Sequence, residues 1–187
     1  QKICVVTGAR SEYGLMRWLM REVATSSRFK LNVIVTGAHL SKKFGSTYRE
    51  IEADGFSITA KVFADFGDES PGDLTRALGR WTAGFAGVFN RLKPDLVVVM
   101  GDRYELLSVA SACTLMSIPL AHISGGEVTE GSADDQIRHS LTKLSHLHMV
   151  SNQIYGKRVL QMGEESWRVC VTGEPGLDSL TRLSLLS

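Results

Sequence analysis

Long apolar runs are absent from the chain. No stretch approaches the ~18 residues of a membrane-crossing helix, so no membrane partner is expected. Cysteine is scarce, with Cys4, Cys113 and Cys170 only, and none is spaced as a metal-binding pair. An odd set lying inside apolar runs reads as reduced, buried thiols of a cytoplasmic protein. Charge of one sign is also missing: 21 Lys and Arg against 20 Asp and Glu leave a net +1, with no basic cluster. Nothing therefore suggests broad nucleic-acid or membrane-surface binding. The sequence has no internal repeat, low-complexity tract or heptad array. A Gly-x-Gly-x-x-Gly fingerprint is lacking too, which argues against NAD binding. No Gly-x-Ser-x-Gly elbow marks a serine hydrolase. The chain runs straight into a strand, so no secretory leader is expected. It begins at Gln1 without Met and ends in Leu183-Ser184-Leu185-Leu186-Ser187, which reads as a piece of a longer protein.

What is present is a regular alternation. The 187 residues, 43% of them hydrophobic, fit one domain able to bury a full core. Leu96-Val97-Val98-Val99-Met100 is short, continuously apolar and β-branched, as a strand buried on both faces of a parallel sheet is. It stops at Gly101, where Asp102, Arg103 and Glu105 arrive together before a helical pattern to Met116. Further strands are expected at Ile3–Gly8, Phe29–Val35, Ile58–Phe63, Ile118–Ile123, Leu147–Val150 and Arg168–Val171. Between them, Leu15, Met16, Leu19, Met20 and Val23 recur at helical spacing, and residues 40–54 form an amphipathic helix or loop. Residues 65–73 are a loop, followed by a long helix from about Leu74 to Leu92. Its buried face carries Leu78, Trp81, Phe85, Val88 and Phe89. A helical face of Ile137, Leu141 and Leu144 follows Ser132, Ser151 or Asn152 caps a helix running to Met162, and a last helix comes after Asp178. The expected fold class is α/β: a Rossmann-like, doubly wound parallel sheet covered on both faces.

In such a sheet, ligands bind beyond the C-terminal strand ends. Those ends carry Arg10, His39, the Asp102-Arg103-Glu105 group, and Glu127 with Asp134 and Asp135. Arg10 beside a helix start suits a phosphate; the plain alternative is a surface pair with Glu12. Gly125-Gly126 permits close backbone approach to a ligand. Arginines among acids suggest an anionic ligand near a general acid or base. Metal ligation by the acids and His122 is the competing reading, yet no His-x-x-x-His or cysteine cluster supports it, and no metal is expected. His122, within a strand, reads as a satisfied core histidine; His139 reads as facing solvent. For Asp102 the plain alternative is a helix cap in a solvated loop.

Three segments resemble a known family: Thr-Gly-Ala-Arg-Ser-Glu-Tyr-Gly-Leu (7–15), Gly-Asp-Arg-Tyr-Glu (101–105), and the long run from His122 to His146 containing Ser-Gly-Gly-Glu-Val-Thr-Glu-Gly-Ser-Ala-Asp-Asp-Gln-Ile-Arg-His. They are similar to the hydrolysing UDP-N-acetylglucosamine 2-epimerases, which feed sialic and related nonulosonic acid synthesis. The resemblance implies that residues 1–187 form the N-terminal Rossmann-like domain, one half of a glycosyltransferase-B-type fold, with the C-terminal nucleotide-binding domain absent from this chain. It implies a cytoplasmic homo-oligomer, dimer or tetramer, taking a nucleotide sugar and needing no metal or redox cofactor. It also implies removal of the sugar C2 proton as UDP leaves C1, giving a 2-acetamidoglucal, then addition of water with inversion at C2 to yield N-acetylmannosamine. By motif match, Asp102 is a catalytic carboxylate and Asp134 the acid of the Asp-Asp-x-Ile-Arg-His segment, with Asp135 its rival. Some relatives carry a glutamate just before Gly-Gly; here that position is Ser124, and Glu127 is the candidate for its role. The substrate-binding residues carried over are Arg10, Tyr13, Arg103, Glu105 and Arg138, with Arg10 and Arg103 at the diphosphate or uridine and Arg138 orienting the acidic segment. A similar subgroup acts on nucleotide-linked N,N′-diacetylbacillosamine. A glycosyltransferase and a non-catalytic nucleotide-sugar sensor are the rival functions.

Overall fold

A computed structural model describes residues 1–65, 67–129 and 133–182. Among the described residues, seven parallel strands form one sheet: β1 (Lys2–Thr7), β2 (Lys30–Val35), β3 (Ile58–Lys61), β4 (Leu96–Met100), β5 (Leu120–Ile123), β6 (Leu147–Val150) and β7 (Val169–Val171). Their order is β3-β2-β1-β4-β5-β6-β7. The helices are α1 (Arg10–Thr25), α2 (Tyr48–Ala53), α3 (Pro71–Leu92), α4 (Glu105–Leu115), α5 (Asp134–Leu144), α6 (Gln153–Gln161) and α7 (Pro175–Arg182).

The doubly wound class follows from how the strands bury their side chains. Cys4 and Val6 of β1 enter one core, while Ile3 and Val5 enter another on the opposite face. The first core packs Trp81, Phe85 and Phe89 of α3 with Leu106 and Val109 of α4 and Leu141 of α5. The second packs Tyr13, Met16 and Met20 of α1 with Ile51 of α2. A strand covered on both sides has no need of polar alternation, which is why the central runs are apolar throughout.

Four expectations are corrected. The long helix begins at Pro71, inside the expected loop, because Ser70 caps it by accepting from the Asp73 N–H at 3.2 Å and proline suits the first helical position. Residues 40–54 hold no continuous helix: the 3₁₀ turn Gly37–Leu40 ends where the stretch begins, and a second turn at Lys42–Phe44 precedes the short α2. Phe63, expected inside the third strand, lies beyond it and is 65% exposed. Cys170 is exposed on the edge strand β7, so only Cys4 and Cys113 are the buried thiols foreseen. Burial pushes those two thiols up, to about 11 and about 12, so they are inert at neutral pH. Glu130, Gly131 and Ser132 of the long motif, and residues 183–187, lie outside the described residues.

Candidate active site

The order β1-β4-β5 brings three loops to one rim. The chain leaves β1 toward β2 on one side and leaves β4 toward β5 on the other, so a crevice opens where the connections diverge. There a cleft of about 340 Å³ is lined by Glu12, Asp102, Arg103, Ser124, Glu127 and Arg138, among others. A second hollow of about 610 Å³ adjoins it, with Arg10, Tyr104 and again Arg103 in its wall.

Arg138, on α5, is the organising group of the cleft. Its side chain is 8% exposed. One terminal nitrogen donates to the Ser124 carbonyl and to Glu127 Oε2, each at 3.1 Å. The other donates to Asp102 Oδ2 and, at 3.1 Å, to Thr129 Oγ1. One planar guanidinium thus ties the ends of β4 and β5 to α5 and holds two carboxylates on a shared edge. Lysine, a point charge, offers no such fork. Asp102 and Glu127 remain 23% and 22% exposed, so each can reach a ligand while charge-paired. Ser151 supports Glu127 from the far side, its hydroxyl donating to Oε1 at 3.0 Å. Ser124 adopts the left-handed backbone region, at φ 63°, with its carbonyl turned to Arg138.

His122 is the satisfied core histidine expected, and it also steadies Asp102. Its Nε2–H donates at 2.7 Å to the carbonyl of Gly101, the residue before Asp102. That bond fixes the tautomer and leaves Nδ1 as an acceptor, 3.3 Å from the Thr142 hydroxyl, which also donates to the Arg138 carbonyl at 3.0 Å. Burial lowers the His122 pKa to about 4, so the ring is neutral.

Several expected site residues are placed differently. Tyr13 is 3% exposed, and its hydroxyl donates to Asp54 at 2.5 Å on the α2 side of the sheet. Glu105 is wholly buried, pairing with Arg103 at 2.7 Å. Both are sealed from solvent in this chain. Asp135 accepts the Thr129 N–H at 2.6 Å and so holds the loop. Asp134 starts α5 half-buried and does not line the cleft. Arg10 is exposed and pairs with Glu50 at 2.9 Å, not with Glu12. Glu12 instead folds back to accept the Gly8 and Ala9 N–H groups, at 2.6 and 3.1 Å, so a carboxyl already occupies those donors at the start of α1. The Gly125-Gly126 pair serves the fold: a Cβ on Gly126 would lie 2.6 Å from the Tyr155 carbonyl of α6, and φ there is +77°. His139 is half-buried rather than solvent-facing. Among the described residues no cluster of three or more metal-ligating side chains exists.

Sequence reasoning missed Glu12, Thr129 and Ser151 as parts of this site. Glu12 had a signal, an acid three residues after the helix cap. The other two had none, because a hydroxyl becomes a support only once the fold brings an acid or arginine to it.

The family profile described as UDP-N-acetylglucosamine 2-epimerase matches residues 21–186. The chain belongs to this family. It is 46% identical over 187 residues to the GDP/UDP-N,N′-diacetylbacillosamine 2-epimerase (hydrolyzing) of Campylobacter jejuni, covering 100% of this chain and 48% of that protein. It is 38% identical over 180 residues to the UDP-N,N′-diacetylbacillosamine 2-epimerase (hydrolyzing) of Legionella pneumophila, covering 96% and 48%. The chain thus spans about half the length of these relatives. The fold matches UDP-GlcNAc 2-epimerase from Neisseria meningitidis bound to UDP-GlcNAc, with TM-score 0.85 and 21% identity over 97% of this chain and 49% of that one. The same Rossmann-like architecture extends to a lipopolysaccharide galactosyltransferase, at TM-score 0.63 and 13% identity.

Proposed function

We propose that the chain is the N-terminal half of a hydrolysing 2-epimerase acting on a nucleotide-linked 2-acetamido sugar. The observation that carries this reading is the pair Asp102 and Glu127, clamped by Arg138 at an open rim. An anti elimination needs a base at the sugar C2 proton while the nucleotide diphosphate departs from C1. The C2–H and C1–O bonds break, a C1=C2 bond forms, and the nucleotide carries away the electron pair. Water then adds its oxygen to C1, and a proton returns to C2 on the opposite face. Two carboxylates at one cleft can take and return those protons, and Arg103 in the wall of both hollows suits the diphosphate. Lying outside the cleft, Asp134 and Asp135 are weaker candidates for the acid than Glu127.

The sugar favoured is N,N′-diacetylbacillosamine, since relatives at 46% and 38% identity are named for it. UDP-N-acetylglucosamine is the second reading, supported by the 34%-identical Neisseria meningitidis relative named for that activity. Oligomerisation and a cytoplasmic location belong to the same proposal. The test is the full-length protein given each nucleotide sugar in heavy water. Free nucleotide plus a C2-deuterated 2-epimer is expected, faster from the diacetyl sugar. Release of sugar carrying no label contradicts the reading.

A further inference from the structure

Beneath the turn joining β1 to α1 lie two buried carboxyl groups that the reaction above does not use. Glu12 is 6% and Glu105 0% exposed. Both press on Gly8: Glu12 Oε2 accepts its N–H at 2.6 Å, and a Cβ placed there would collide with Glu105 Oε1. A Cβ on Gly37, after β2, would collide with the same oxygen. Each carboxyl has one oxygen buried with no hydrogen-bond partner, Oε1 of Glu12 and Oε2 of Glu105. Among the described residues the cation facing them is Arg103, whose Nε donates to Glu105 Oε1 at 2.7 Å. The other titratable neighbours are Tyr104, which feels the charge of Glu105, and His39 on the turn after β2. His39 is held neutral by burial, with a pKa lowered to about 4, and adds no positive charge.

Two buried negative charges against one positive would leave a surplus charge in a desolvated site, which is costly. We propose that Glu12 and Glu105 work as one carboxylic acid and one carboxylate, and that this pair positions Arg103 for the diphosphate of the nucleotide sugar. The inference rests on the nucleotide-sugar reading and names a further pair of positioning residues for it. Glu105 holds the Nε edge of the guanidinium, while the side chain stays 32% exposed and lines both hollows. Glu12 keeps the proton and uses its other oxygen to shape the turn. Burial and the neighbouring Glu105 raise the Glu12 pKa to about 8, in keeping with that division. When the proton leaves, a second negative charge faces Arg103 and weakens its field at the cleft.

The test uses the full-length protein and measures the Kd of UDP and of GDP by calorimetry from pH 6 to 9. The wild type should lose affinity for its tighter nucleotide as pH rises through about 8, by on the order of tenfold for a lost unit charge near the site. Glu12→Gln should remove that pH dependence, since an amide keeps the acceptor and never ionises. Glu105→Gln should weaken binding about tenfold at every pH, having released the arginine. A protonated-carboxyl stretch in the infrared spectrum at pH 7, lost in Glu12→Gln, reads the proton directly and needs no turnover. Glu12→Gln following the wild-type pH curve, or the absence of that infrared band, overturns the proposal. C2 labelling in heavy water stands apart from these readouts, so the pair and the epimerase reading fail separately.

Discussion

Arg138 is the residue on which the site's electrostatics turn. Replacing it with methionine leaves Asp102 and Glu127 facing each other without a counter-charge. Because both acids are partly wet, the expected loss is about 2 kcal/mol, below the 3–5 typical of a fully buried pair. Urea denaturation of the variant checks this, and an unchanged midpoint contradicts the clamp. Burial also sets the pH dependence of stability. His39 and His122 titrate near 4 in the folded chain against 6.5 in model compounds. The unfolded chain therefore binds more protons as pH falls, and stability present above 6.5 is lost toward 4. Glu12 runs the other way, from 4.5 up to about 8, so its contribution is full below 4.5 and lost as pH rises to 8. Urea midpoints across pH should show His39→Gln flattening the acid slope and Glu12→Gln flattening the alkaline one. If both variants track the wild type, the His39 ring and this carboxyl are not the groups responsible.

At the scale of elements, strands were legible because burial on both faces leaves a run such as Leu96–Met100 without polar interruption. The start of α3 was not, since Ser70-Pro71 reads as a loop until the cap is seen to accept from Asp73. The candidate site divides along the same line. Asp102 and Glu127 were visible as acids at strand ends, a position that topology exposes. The burial of Tyr13 and Glu105 was not visible, because a motif gives adjacency in sequence but not which way a side chain turns. The Gly125-Gly126 turn was read as a close backbone approach, and the neighbours the structure gives it are Thr142, His122 and α6. Gly126→Ala should therefore lower the melting temperature by several degrees and shift Glu127, through a clash with the Tyr155 carbonyl and a left-handed backbone. A melting temperature within one degree of wild type, seen by calorimetry, contradicts that account.

For the molecule as a whole, the central strands are covered on both faces, yet the rim that carries the acids is open and the relatives are about twice as long. The 187 residues should fold cooperatively and show no turnover, which thermal unfolding and a coupled assay for free nucleotide will report. Turnover by this chain alone contradicts the half-site account. The most direct test of the central claim uses the full-length protein with Asp102→Asn and Glu127→Gln, following C2 deuterium incorporation and nucleotide release together while nucleotide binding is measured separately. The account predicts that both variants bind the nucleotide within threefold of wild type and lose labelling and release in parallel, by at least a hundredfold. Labelling at the wild-type rate in either variant would remove that carboxylate from the chemistry and contradict the claim that the Arg138 clamp holds the reacting groups.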